Sequence, residues 1–339
     1  MNQITTLAID LAKSVFQLHG IDRAGVTVLR RQVRRSQLLN IVAQLPVCLV
    51  AMEACASAHY WGRQIGALGH RVKLIPPQYV KPFVKGNKTD RNDAQAICEA
   101  ALRPEMPSVA VKTEEQQAVL SLHRMRTLLE KQRKQLANQL RGLLGEFGIA
   151  IPLGIAPLRA ALPEAIKAVP QLLRPSLEQA RERLSELQNQ CTAYTDQITQ
   201  LTARSPLCRR LMQVQGIGPI TASAFAATVG DPAHYRNGRQ LSASLGIVPR
   251  QHSTGGKPVL LGISKRGDGY LRMLLVHGAR AVLQHSTGKS DPLSLWVRQL
   301  AARRGFNRAT VALANKTARR LWAIWRAEGP QFAAAEPTA

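Results

Sequence analysis

The chain has 339 residues, 45% of them hydrophobic, and sets 46 Lys and Arg against 21 Asp and Glu, for a formal net charge of +25 and a pI near 11.0. That length and apolar content give two or three domains with real cores and exclude a disordered chain. The charge calls for a polyanionic partner, nucleic acid by default, because neutralised phosphates release counterions; with no run of 18 apolar residues and basic residues spread along the chain, a membrane partner is excluded.

In chain order, residues 4–9 read as a first β-strand that ends on Asp10, and residues 15–20 as a second. A turn near Asp22 to Gly25 leads to a third strand candidate at 26–29, and a helix opens near Ser36. Residues 47–52 form a fourth strand that ends on Glu53. A helix follows at 58–68, then Gly69, then a strand at 71–75 that Pro76 and Pro77 stop. Asp90 and Asp93 lie at the start of a further helix. Three strands in succession, then strands alternating with helices, is an α/β arrangement with a mixed sheet. The order matches the RNase H-like fold, whose first strand carries the leading metal-binding Asp.

From 113 to 147 the apolar spacing becomes helical. Residues 152–175 are proline-punctuated and read as a turn-rich connector. A second long helix then carries Leu177, Ala180, Leu184, Leu187, Cys191, Tyr194, Ile198 and Leu201 in a/d register. The pair reads as an antiparallel coiled-coil hairpin. Two readings stand: a dimerisation arm, or a two-helix element whose stripe is satisfied within one chain. Between Ser205 and Arg320 there are 18 Lys and Arg against three acids, Asp231, Asp268 and Asp291, as expected of a surface that wraps nucleic acid. Aromatic residues make up 4% of the chain, which argues against base stacking on a sheet face. The resulting divisions are 1–110, α/β; 111–204, helical coiled-coil connector; 205–326, mainly α-helical; and 327–339, a tail.

The five cysteines, Cys48, Cys55, Cys98, Cys191 and Cys208, show no CxxC or Cys/His spacing, which argues for reduced thiols and against zinc. The N-terminus lacks the regions of a signal peptide, so the expected compartment is the cytosol.

Four carboxylates carry the chemistry. Two-metal phosphodiester cleavage needs acids converging from separate elements, so that Mg²⁺ ions bridge the attacking and leaving oxygens. Asp10 and Glu53 end two strands, and Asp90 and Asp93 stand three apart on one helix face. Taken singly, each also reads as a surface or capping acid, Asp90 as an N-cap. Together, in so basic a chain, they read as a metal site. A second feature is Gly216-Ile217-Gly218, a turn between two helices that resembles a helix-hairpin-helix hairpin. It either brings backbone N–H groups to a phosphate or is only a turn. The third is Ser253 in a glycine-rich loop with Arg250, Lys257, Lys265, Arg266 and Arg272 nearby in sequence, basic residues that, with Gly216 and Gly218, are the expected nucleic-acid-binding positions. By spacing alone it is a loop serine; a nucleophile needs a base or cations around it.

These residues resemble the DEDD transposases of bacterial insertion sequences, relatives of the Piv-type DNA invertases. The resemblance rests on Asp10-Leu11-Ala12-Lys13, Met52-Glu53-Ala54, the run from Gly86 to Ala94, Gln215 to Gly218, Leu245 to Arg250, Ser253-Thr254-Gly255 and Gly262 to Gly267. It covers nearly the whole chain in family order, with a departure at Cys55-Ala56-Ser57, which is less glycine-rich than the family's loop.

The resemblance implies a RuvC-like domain, a coiled-coil connector and a transposase domain. It assigns Asp10, Glu53, Asp90 and Asp93 to the metal and Ser253 to the nucleophile. Strand exchange would pass through a phosphoserine–DNA intermediate with Mg²⁺ assisting. It further implies composite sites built from two protomers, dimers that pair into a tetramer on donor and target DNA, and an element-encoded guide RNA that reads sequence by base pairing. The compartment would be the bacterial cytoplasm, at the nucleoid. The alternatives are a protein-only invertase, a Holliday-junction-type endonuclease, and a non-enzymatic architectural protein.

Overall fold

The computed structural model describes residues 3–86 and 89–327. Asn87 and Lys88 of the Gly86–Ala94 motif, and residues 328–339 of the tail, lie outside the described residues. The chain divides into two compact units, Met1–Gln116 with Val229–His234, and Gln117–Thr228 with Tyr235–Ala339.

The first unit is built on β1 (Thr6–Leu11), β2 (Val15–Ile21), β3 (Thr27–Arg34), α1 (Leu38–Ala43), β4 (Leu49–Glu53), α2 (Ala58–Ala67), β5 (Arg71–Ile75), α3 (Pro77–Val80) and α4 (Asp90–Ala101). Its five strands form a mixed sheet in the order β3-β2-β1-β4-β5, compatible with an RNase H-like fold. β1 runs antiparallel to β2 and parallel to β4, with Ile9 opposite Met52. Because side chains alternate along a strand, the sheet has two distinct faces. Leu7, Ile9, Phe16, Leu18, Val50 and Met52 pack with Leu38, Val42, Trp61 and Ile65. On the other face Ala8 and Ala51 meet Ala96, Ile97, Ala100 and Ala101 of α4. Small residues on both partners let this helix lie close to the sheet.

β3 is longer than the 26–29 expected, because most of its length is a solvent-facing edge. Arg30, Arg31, Gln32 and Arg34 are exposed, so the apolar alternation fades while pairing to β2 persists. Charged side chains on an edge strand also discourage pairing with another chain.

The second unit carries α5 (Glu114–Gly145), α6 (Ile155–Lys167), α7 (Arg174–Arg204), α8 (Pro206–Leu211), α9 (Pro219–Val229), α10 (Gly238–Ser244), β6 (Pro249–Gln251), β7 (Leu260–Ile263), α11 (Gly269–Gln284), α12 (Pro292–Arg304) and α13 (Phe306–Arg326), except that the start of α5 up to Gln116 and the last residue of α9, Val229, are assigned to the first unit. The connector expected between 152 and 175 is largely helix. Pro157 sits in the first turn of α6, where its missing N–H costs nothing, and Pro163 forfeits one internal bond. The stripe Leu158, Leu162, Ala165 and Ile166 is buried against Leu140, Leu144, Leu177 and Leu184, which offsets that loss. Leu187 and Cys191 pack on Leu129. From Leu177 to Tyr194 the α7 stripe is therefore packed within the chain, and Ile198 is buried, while Leu201 is exposed.

Among the described residues no helix is long and apolar enough to cross a membrane.

Candidate active site

Asp10 is the fifth residue of β1, and Asp90 and Asp93 stand in the first turn of α4, the helix packed on that strand's face. One carboxylate oxygen from each lies within 4.8 Å of the other two. Asp90 is not the helix cap. Thr89 is, its hydroxyl accepting from Asn92 N–H at 3.3 Å while Asp93 N–H donates to the Thr89 carbonyl at 2.9 Å. Two acids in a first turn also suit the helix dipole, so they alone decide little. Asp10 arriving from the sheet is what makes a cluster. Glu53 ends β4, the residue after the Ile9–Met52 pair, and by alternation it shares the α4 face with Asp10. It is not a member of the 4.8 Å cluster.

Three carboxylates this close repel one another unless a cation intervenes. The 4.8 Å span suits hard oxygen ligands about 2.0–2.6 Å from a shared divalent ion. The donor set is all oxygen, which suits a hard divalent cation. Lys85 is tied to α4 at two points. Asn92 Nδ2 donates to the Lys85 carbonyl at 3.2 Å, and Lys85 pairs with Glu99 at 3.1 Å. Burial pushes the Glu99 carboxyl up, but hydrogen bonds from Gln95 and Lys85, with the charges of Lys85 and Arg103, outweigh it and hold it low. Asn92 and Lys85 were not singled out from the sequence; Asn92 lies inside the acidic motif.

Ser253 follows β6 in a small hairpin whose tip is Thr254 to Lys257, with Gly255 at φ 57° and Gly256 at φ 75°. Two consecutive left-handed residues are what a tight hairpin turn requires, and glycine adopts them without strain. The serine is exposed. Its Oγ accepts from Gln251 Nε2 at 2.8 Å and from Val259 N–H at 3.4 Å. Two donors hold the oxygen in place and leave its own hydrogen free to point elsewhere. Gln251 was missed from sequence, where a glutamine two residues before a serine carries no signal. His252 supplies only backbone to the hairpin, its N–H donating to the Val259 carbonyl at 2.9 Å.

Arg250 and Lys257 are exposed on the hairpin. Lys265 and Arg266 are exposed on the next loop, where Lys265 holds a left-handed φ of 55°, rare for a side-chain-bearing residue. That loop is pinned backbone to backbone. Lys265 N–H donates to the Gly246 carbonyl at 3.1 Å, and Ser264 N–H to the Val248 carbonyl at 2.9 Å. Arg272 Nη1 donates to the Leu245 and Arg266 carbonyls, both at 2.9 Å, so its guanidinium is a clamp on this loop. Gly216, at φ 82°, packs on Gly278, while a Cβ on Gly218 would meet open space. The turn therefore has a structural glycine and an accessible one.

The three acids of the basic region are spent locally. Asp231 accepts from Ala233 N–H, Asp268 caps α11 through Leu271 N–H, and Asp291 caps α12 through Leu293 and Ser294 N–H. None forms one of the six ion pairs among the described residues. The surrounding Lys and Arg keep their charge for a polyanion.

A DEDD transposase family model of the IS110 type matches residues 7–149, and the transposase model of the IS116/IS110/IS902 family matches residues 208–292. The chain is similar to a probable family 20 transposase of Pseudomonas aeruginosa, 51% identical over 95% of this chain and 96% of that one. It is 46% identical to the transposase for insertion sequence element IS1111A of Coxiella burnetii, over 96% of this chain and 90% of the relative. It is 44% identical to the transposase for insertion sequence element IS1328 of Yersinia enterocolitica, over 96% and 97%.

Proposed function

This chain belongs to the DEDD transposase family of IS110-type insertion sequences, enzymes that cut and rejoin DNA, and from that premise we propose that it moves its own element by serine-mediated strand exchange. The observation that carries the reading is the convergence of Asp10, Asp90 and Asp93 across two elements. These three, with Glu53 on the adjacent strand, would hold Mg²⁺, which when bound supplies charge neutralisation at the scissile phosphate.

Ser253 Oγ attacks the phosphorus and gives up its proton. The Oγ–P bond forms, the P–O bond to a deoxyribose breaks, and the departing sugar oxygen takes up a proton. A deoxyribose hydroxyl of the other DNA then attacks the phosphoserine and loses its proton, the Oγ–P bond breaks, and the serine oxygen takes up a proton again. One phosphodiester is exchanged for another, so neither ATP nor free hydrolysis is needed. Gln251 and the Val259 N–H steady the serine oxygen, and Arg250, Lys257, Lys265 and Arg266 hold phosphates. Gly218 leaves room for backbone to approach the duplex.

On this reading each site is composite, with the acids of one protomer and Ser253 of another, and dimers pair into a tetramer on donor and target DNA. An element-encoded guide RNA directs the choice of DNA, and the basic surface holds it. The compartment is the bacterial cytoplasm, at the nucleoid.

Recombination in vitro tests the proposal. The RNA that survives stringent purification is sequenced, and donor and target duplexes matching its loops are incubated with protein and Mg²⁺. Recombinant junctions that require the RNA support guided exchange. Junctions formed without RNA make the protein an unguided invertase, and cleavage of branched DNA alone makes it a resolvase-like nuclease.

A further inference from the structure

The chain has four tryptophans. Trp61 and Trp325 are buried in the cores. Trp296 and Trp322 are half-buried and line one cleft of about 740 Å³ among α10, α12 and α13, a volume in the range of small-molecule sites, ~300–1,000 Å³. Arg239, Lys316, Arg319 and Arg320 line the same cleft, all four exposed, and no acidic side chain lines it. None of the four cations takes part in an ion pair among the described residues.

The walls are firmly built. Gly238 lets α10 lie on α13, where a Cβ would stand 3.1 Å from Arg319 Cα. Asn315 Nδ2 donates to the Ile247 carbonyl at 3.1 Å, and Ser242 Oγ donates to the Asn315 carbonyl at 3.4 Å. A solvated basic face would account for the charges alone. It does not account for Lys316, whose Nζ sits 4.2 Å from the centroid of the Trp296 ring. The ammonium covers an aromatic face that a flat group could take instead, and four cations without an acid call for an anion.

We propose that this cleft binds an unpaired nucleotide of single-stranded nucleic acid. The base stacks on Trp296 and displaces Lys316, which turns with Arg319 and Arg320 to the flanking phosphates. A paired base in a duplex presents no free face, so the site selects single strands over duplex. The site lies apart in sequence from the carboxylates and Ser253 and needs neither for binding.

The test is fluorescence anisotropy with the full-length protein in EDTA, so that strand exchange plays no part and its failure leaves this result intact. The probes are labelled single strands of about 12 nucleotides, as RNA and as DNA, and a duplex of the same sequence. Trp296→Ala weakens binding of at least one single strand about tenfold or more and leaves the duplex within about twofold; Trp296→Phe, which keeps an aromatic face, restores most of it. The tighter of the RNA and DNA arms names the natural source. Lys316→Ala, at an exposed position on α13, serves if Trp296→Ala melts early, and it also weakens the single strand selectively. Equal losses for single strand and duplex, no loss for either, or competition by poly-glutamate without any selective effect of the variants would overturn the proposal.

Discussion

Gly216 and Gly278 meet backbone to backbone: a Cβ on Gly216 would stand 2.7 Å from the Gly278 carbonyl oxygen, and one on Gly278 would strike the Gly216 carbonyl oxygen. Neither carbonyl is the far end of a flexible side chain, so the α11 backbone itself would have to shift. Gly278→Ala should destabilise the protein by about 1–3 kcal/mol, the usual range for overpacking. Gly218→Ala, facing open space, should leave the melting temperature unchanged. Thermal melts of the two variants side by side decide the matter, and equal stability would contradict the packing account.

The buried His123 ring joins α5, α9 and α11. Its Nδ1 lies 3.0 Å from the Tyr270 hydroxyl and its Nε2 3.1 Å from Ser223 Oγ, which itself donates to the Pro219 carbonyl at 2.8 Å. Ser223 therefore accepts from Nε2–H, and Nδ1 accepts from Tyr270. Burial, helped by the Arg126 charge, lowers the His123 pKa to about 4 from the ordinary 6.5. The unfolded chain thus binds a proton that the folded chain refuses between those values, and stability falls as pH drops below 6.5 toward 4. The loss amounts to a few kcal/mol. His123→Gln should flatten this acid limb in urea melts taken from pH 7 to pH 4; an unchanged slope would place the acid sensitivity elsewhere.

Arg272 and Lys265 stand close in sequence but should fail differently. Arg272→Ala releases two carbonyls and should lower the melting temperature, with DNA affinity falling because the loop loosens. Lys265→Ala should leave stability alone and reduce the slope of log Kobs against log salt by about 0.9, one phosphate contact. Binding isotherms at several salt concentrations separate a clamp from a contact.

Much of the first unit was legible in the chain because its strands alternate cleanly and its boundaries carry proline, glycine or an acid. The strand at 71–75 and the helix at Asp90 stand where the pattern put them. The C-terminal half of β3 was illegible since an exposed edge strand has no apolar face to announce it. α6 was hidden by its prolines, whose cost is local while the benefit of Leu158 and Leu162 comes from distant helices. The closeness of Asp10 to Asp90 and Asp93 could be suspected from the acids, but that α4 lies on β1 depends on Ala8 meeting distant alanines. That Arg272 also clamps a loop was not legible, because its carbonyl partners, Leu245 and Arg266, are contacts made only in the fold.

The arm ends in exposed apolar residues. Leu153 and Leu172 are 88% and 94% exposed, in the connectors flanking α6, although the α7 stripe from Leu177 to Tyr194 is packed within the chain. If the arm mates protomers, Leu153→Asp with Leu172→Asp should shift the protein to smaller species in sedimentation without lowering its melting temperature. Unchanged sedimentation would remove these positions from the interface.

Asp93→Asn removes one charge from the three-carboxylate cluster while keeping its shape. Strand exchange should disappear, with DNA affinity held within a few-fold, since the proposed phosphate contacts lie on other residues. Normal recombination by this variant would remove Asp93 from the chemistry.

Capture of the covalent intermediate tests the central claim most directly. Wild-type protein is incubated with its DNA and Mg²⁺, quenched in denaturant, and digested for mass spectrometry of any peptide–nucleotide adduct. The account predicts a nucleotide ester on Ser253 that is absent from Ser253→Ala, which should also produce no strand cleavage. Cleavage that persists in Ser253→Ala with no adduct on any residue would mean that water, not this serine, attacks the phosphate.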